Sequence, residues 1–158
     1  MRISTLLVLA TLAGVPAPAL AQHDHADSAF RTLQQRGARV MGVDQYTSSH
    51  RFEALPEGGR IELQRDVDDT AGVQTIREHL RTIARQFAAG DFSAAASVHA
   101  RTVPGTAVMR ARRDSIRYEF RPLPRGGEVW ITTRDTTAVR AVHEFLAFQR
   151  ADHRTGEK

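Results

Sequence analysis

The chain has 158 residues, 41% of them hydrophobic and 25% charged, enough for one domain with a sizeable core. It contains no cysteine, which excludes disulfides, thiolate metal sites and a cysteine nucleophile. Twenty-two Lys and Arg against 18 Asp and Glu leave a formal charge of +4, and a balance this mild is not read as the footprint of a nucleic-acid partner.

The first residues form a targeting pattern. Arg2 supplies a positive start, residues 6–13 are apolar, and Ala19-Leu20-Ala21 is a small-x-small cleavage site. Together they read as a secretory signal peptide over residues 1–21. Pro16 and Pro18 interrupt the apolar run before it reaches the roughly 20 residues that a membrane-spanning helix needs, and no later stretch is apolar enough. The expectation is a chain of residues 22–158, exported to a bacterial periplasm, with no membrane span and a single α+β domain. Its charge falls from +4 to +3 with the loss of Arg2.

Asp27 or Ser28 can cap a short helix to about residue 37, with Ala29, Phe30, Leu33 and Val40 as its apolar stripe. Gly37 and Gly42 are expected to end it, and residues 41–46 read as a connector. A doubled unit follows. Arg51-Phe52-Glu53, Pro56-Glu57-Gly58-Gly59 and Asp69-Thr70 are echoed by Arg117-Tyr118-Glu119, Pro124-Arg125-Gly126-Gly127 and Asp135-Thr136. Each copy predicts strand, Gly-Gly turn, strand, N-cap and helix. The units run over about 47–90 and 115–153, separated by an insertion at 91–114.

In the first unit, His50, Phe52 and Ala54 face inward, as do Ile61 and Leu63, while Arg51, Glu53, Arg60 and Glu62 face outward. Val73, Ile76, Leu80, Ile83, Ala84 and Phe87 then fall on one helical stripe, expected to cover that hairpin, and Gly90 stands at the C-cap. In the insertion, 92–99 is weakly helical, Pro104-Gly105 is a turn, and 106–113 predicts a short helix with Val108 and Met109 inward. In the second unit, Ile116, Tyr118, Phe120, Val129 and Ile131 face inward, Pro122 and Pro124 close the first strand, and a helix over about 137–153 carries Val142, Phe145, Leu146 and Gln149. Two hairpins side by side give a four-stranded antiparallel sheet with helices on one face and an N-terminal helix beside them. The alternative is that the hairpins pair between chains in a dimer.

The motifs of strong catalytic families are absent: there is no GxSxG elbow, P-loop or dinucleotide glycine fingerprint. His143-Glu144 begins an HExxH, but position 147 is Ala147. An enzyme would have to be built by the insertion, with His99 and Asp114 in a cleft beside another histidine. Seven histidines and two methionines beyond the leader, with no cysteine, instead suit copper, since imidazole binds either oxidation state and thioether favours Cu(I). The candidate metal residues are His50, His79, His143 and Met109. His79 and His143 sit in matching helices at the borders of their stripes. Border histidines more often hydrogen-bond to backbone than bind metal; the functional reading is a pair converging between the helices. His50 is polar on an inward face where the second copy shows Ile116, so it needs a partner. His23 and His25 near the new N-terminus are placed to bind copper or nickel with the terminal amine. On the outward sheet face, Trp130 among arginines, with Arg51 and Arg117, has the composition of a contact with a protein partner or a second copy.

The strings Met41-Gly42-Val43-Asp44-Gln45, Gly90-Asp91-Phe92, Val103-Pro104-Gly105, Pro124-Arg125-Gly126-Gly127 and His143-Glu144-Phe145-Leu146-Ala147-Phe148-Gln149 resemble a group of small exported proteobacterial proteins. The resemblance covers nearly the whole chain after the leader and implies one domain. The group is associated with the name aspartate carbamoyltransferase. This chain lacks a Ser-Thr-Arg-Thr phosphate loop and is about half the length that fold needs, so the resemblance supplies no catalytic residues. The reading is a non-enzymatic periplasmic binding module, binding a transition metal such as copper through His and Met. The alternative is an interaction or dimerising module using the sheet face around Trp130.

Overall fold

The computed structural model describes residues 19–155, with side chains from Asp27 onward. Residues 1–18 of the expected leader, and the side chains of His23 and His25, lie outside the described residues. Among those described, no helix is long and apolar enough to cross a membrane.

Four strands, β1 (Ser48–Leu55), β2 (Gly58–Arg65), β3 (Ile116–Leu123) and β4 (Gly126–Thr133), form one antiparallel sheet in the order β1-β2-β4-β3. The helices are α1 (Ala19–Met41), α2 (Thr70–Ala88), α3 (Ser93–His99), α4 (Thr106–Ala111) and α5 (Thr136–Asp152). The fold is α+β as the doubled pattern requires, and the hairpins meet through β2 and β4 of the same chain.

The repeat has a different register from the one the sequence suggests. From Ser48 to Ile116 and from Gly58 to Gly126 are both steps of 68 residues, whereas Arg51 to Arg117 is 66. Phe52 therefore matches Phe120, and His50 matches Tyr118 rather than Ile116. A slip of two residues leaves the inward and outward faces unchanged, so alternation cannot detect it. Trp130 matches Glu62, as read. Ile61 pairs with Val129, also 68 apart, so the local twofold axis of the two units passes through that pair.

The glycine pairs do not make the turns. Leu55 pairs with Gly58 and Leu123 with Gly126, so the turns are Pro56-Glu57 and Pro124-Arg125, and the glycines open the next strands. Their role is close approach. A Cβ on Gly58 would sit 2.1 Å from the Ile131 carbonyl oxygen, and one on Gly126 would sit 2.0 Å from that of Leu63, both across the β2–β4 seam. Pro122 lies inside β3 rather than ending it, which an edge strand tolerates.

The two long helices exchange hairpins. The sequence places α2 over its own hairpin, but α2 packs on β3 and β4, and α5 packs on β1 and β2. β2 and β3 run in the same direction with β4 between them, so the chain from one to the other must cross the sheet face, and α2 is that crossing. It fills half of the face, and α5 takes the half left open. Asp69 and Asp135 are the N-caps, accepting from Gly72 N and from Thr137 N and Ala138 N. The core between sheet and helices holds Leu63, Ile76, Met109, Val129, Ile131, Val142, Phe145 and Leu146, each under 2% exposed.

Gly37 does not end α1, which continues to Met41 and stops at Gly42 with φ of +73°. A Cβ at Gly37 would lie 3.1 Å from Gln45 Oε1, so this glycine makes room for the chain as it turns back under the helix. α1 packs on α3, with Arg36 Nε donating to Val98 O at 2.6 Å. The insertion is ordered into α3 and α4, and α4 lies against α5.

Gly126→Ala forces a Cβ into backbone that cannot rotate aside. We expect it to destabilise the protein by about 1–3 kcal/mol, read as a lower urea midpoint with an unchanged slope.

Candidate functional site

Helix exchange brings together residues that are far apart in the chain. A cavity of about 80 Å³ lies between the inner face of β1 and β2, the end of α1, and helices α2, α3 and α5. Its walls are mostly apolar, among them Phe52, Leu63, Leu80 and Phe145, but four histidines reach it: His50, His79, His99 and His153. Met41 and Gln149 also line it.

Each imidazole arrives from a different element. His50 projects inward from edge strand β1, and its Nε2 lies 3.5 Å from Met41 Sδ at the end of α1. Gln45 Nε2 also points at that sulfur, at 3.8 Å. His153, the C-cap of α5, stacks on His50 with ring centroids 5.2 Å apart and meets His99 edge-on at 5.2 Å. His79 comes from α2, where its stripe meets the cavity. His99, from α3, is held at both ring nitrogens, Nδ1 by Asp152 at 2.5 Å and Nε2 by Gln149 at 2.9 Å. Arg101 holds the other oxygen of Asp152 at 2.8 Å. His99 is thus a braced wall residue with no lone pair to spare.

Burial sets the charge state of the others. It depresses His50 to about 4, with nearby His79 adding to the effect. It depresses His79 to about 4 and His153 to about 3, the latter helped by His50 and His99 and opposed by Asp152. At neutral pH these three are neutral imidazoles in an apolar pocket. Among the described residues, no three His, Asp or Glu side chains converge as a metal-ligand set.

The other candidates lie elsewhere. His143 does not meet His79; its Nε2 donates to Leu55 O at 2.8 Å, pinning α5 to the end of β1. This is the backbone role that a border histidine usually takes. Met109 is fully buried in the core, away from the cavity's lining. Asp114 is exposed beside Arg113, so the insertion gives its histidine, but not its carboxylate, to the site. Met41 and His153 were not singled out from the sequence. Met41 is separated from β1 by only residues 42–47, which keeps it close to His50; His153 was hidden by the helix exchange.

On the outer face, Trp130 is half-buried under its neighbours' arginine stems. Arg121 stacks over its ring at 4.6 Å and Arg60 at 5.7 Å, while its Nε1 donates to Glu128 at 2.6 Å. Glu128 is 6% exposed and also accepts from Arg60 at 3.2 Å. Arg51 and Arg117 are exposed on this face. Compared with protein-family models, curated proteins and solved structures, the chain matches none.

The depressed histidines couple stability to pH. Unfolded, they bind protons near 6.5; folded, only near 4 or 3. The unfolded state therefore carries more protons in between, and their contribution, complete above about 6.5, is lost as pH falls toward 4. We expect the unfolding free energy to drop by a few kcal/mol over that window, on the order set by proton linkage. His79→Leu should flatten the slope between pH 6.5 and 5, measured by urea unfolding.

Proposed function

We propose that the protein is a binding module of the periplasm, not an enzyme, and that its site is the histidine-lined cavity, which takes a transition metal such as copper. The observation that carries this reading is the Met41 Sδ to His50 Nε2 approach of 3.5 Å in a cavity that the imidazoles of His79 and His153 also line. Thioether and neutral imidazole are donors for a soft or borderline cation. The cavity lining holds no Ser, Thr, Lys or carboxylate side chain, so its imidazoles have no hydroxyl, amine or carboxylate nucleophile to activate. Export, read from the leader, places the module where copper and zinc are handled without a thiol of its own. Equilibrium dialysis against Cu(I), Cu(II) and Zn(II) in turn should show at least one of them bound at one ion per chain with Kd below about 10 µM, the weak end of useful affinities. Retention of none of them at that level ends the metal reading.

A second reading is favoured by the outer sheet face, where Trp130 lies between Arg121 and Arg60 and the helices pack on the opposite side. Indole flanked by guanidinium is a hot-spot composition for protein contacts. Under it, the protein self-associates through this face, and Trp130→Ala shifts sedimentation velocity profiles from dimer to monomer. A wild-type protein that stays monomeric at high concentration ends this reading.

A further inference from the structure

Resting on the metal-binding reading, we propose that Met41 Sδ and His50 Nε2 form a low-coordinate Cu(I) site that discriminates against divalent ions. Spacing is the first argument. With metal–nitrogen and metal–sulfur bonds of about 2.0 and 2.3 Å, donors 3.5 Å apart subtend an angle of about 110° at the ion. The two atoms are in direct hydrogen-bond contact, which an ion taking both would replace, and that angle suits an ion with a third donor rather than a linear two-coordinate one.

Donor number is the second argument. With no convergent set of three His, Asp or Glu among the described residues, an ion that demands four ligands is poorly served. Cu(I), a closed-shell monocation, is content with two or three soft donors. His153, stacked 5.2 Å from His50, is the nearest further imidazole.

Charge is the third. The lining offers no carboxylate to neutralise an ion. The cost of burying an ion in an apolar medium grows as the square of its charge, so a dication meets about four times the penalty of a monocation. An uncharged site with apolar walls therefore selects Cu(I) over Zn(II) and Cu(II) before geometry is considered.

His50 and His153 also line a second, polar cleft on the outside, shared with Ser49, Arg51, Glu62 and Asp66, so the stacked pair stands between that cleft and the cavity. The Gln45 amide also donates to the Met41 thioether, at 3.8 Å.

The test is anaerobic Cu(I) competition with the chromophoric chelator bicinchoninate, parallel titrations with Zn(II) and Cu(II), and X-ray absorption of the loaded protein. The protein carries His23→Ala and His25→Ala, so that its tail takes no part. We expect one Cu(I) per chain and a sulfur scatterer at about 2.3 Å. Met41→Leu, close in volume, should lose that scatterer and weaken Cu(I) binding at least about tenfold, the minimum even for partners outside the ligand shell. His50→Leu should weaken it as much. Absence of sulfur around copper, or Cu(I) affinity unchanged in Met41→Leu, overturns the site. Zn(II) or Cu(II) binding as well as Cu(I) overturns the selectivity and leaves the metal-binding reading standing. Failure of all three ions removes both. Should Met41→Leu not fold, the sulfur signal of the parent protein decides alone.

Discussion

β2 and β4 pair along seven residue pairs, from Gly58–Thr132 to Gln64–Gly126, and this seam decides where everything else can go. It joins two hairpins that could not hold their apolar faces alone. Its closeness depends on glycine at both ends, because a side chain at Gly58 or Gly126 would run into the facing strand's carbonyls. With the seam formed, β3 lies beyond β4 from β2, and the chain has one way to reach it: across the sheet. α2 is fixed by that crossing and α5 by what remains.

The cavity is a product of the same arrangement. An amphipathic helix laid on its own hairpin would have put α5 over β3 and β4. Laid on the other hairpin, it carries His153 to β1 and sets it against His50. α3, from the insertion, adds His99, and the end of α1 adds Met41. Four of the five helices thus meet at one pocket on the sheet, which is why its polar groups come from every part of the chain. On the opposite face, Arg60 pairs with Glu53 and Glu128, and Arg60 and Arg121 flank Trp130.

Much of this fold is legible in the chain. Period-two alternation marked the strands, the stripe from Val73 to Phe87 marked α2, and Asp69 and Asp135 marked its start and that of α5. What alternation cannot carry is register, since a two-residue slip keeps every side chain on its face; that is how His50 came to be set against Ile116. Which hairpin a helix covers is likewise not written in the helix, because either apolar face accepts the same stripe. The site was legible only in part for the same reason. His50 stood out as a polar residue on an inward face, and His79 as one on a stripe border. His143 shared that border pattern and turned out to hold a backbone carbonyl. Met41 and His153 carry no local signal: their meaning comes from the crossing of α2 and α5.

Helix exchange also has a consequence for symmetry. Each ββα unit leaves its own hairpin bare and carries the helix that its twin needs. Two identical copies of such a unit would complete one another as a symmetric pair of separate chains, around an axis passing between their second strands. The 91–114 segment makes that arrangement internal to one chain, and the two halves need not be identical. One could keep an imidazole at the position where the other holds the phenol of Tyr118, and a single off-axis pocket could arise in a frame that, as a pair, would have had two.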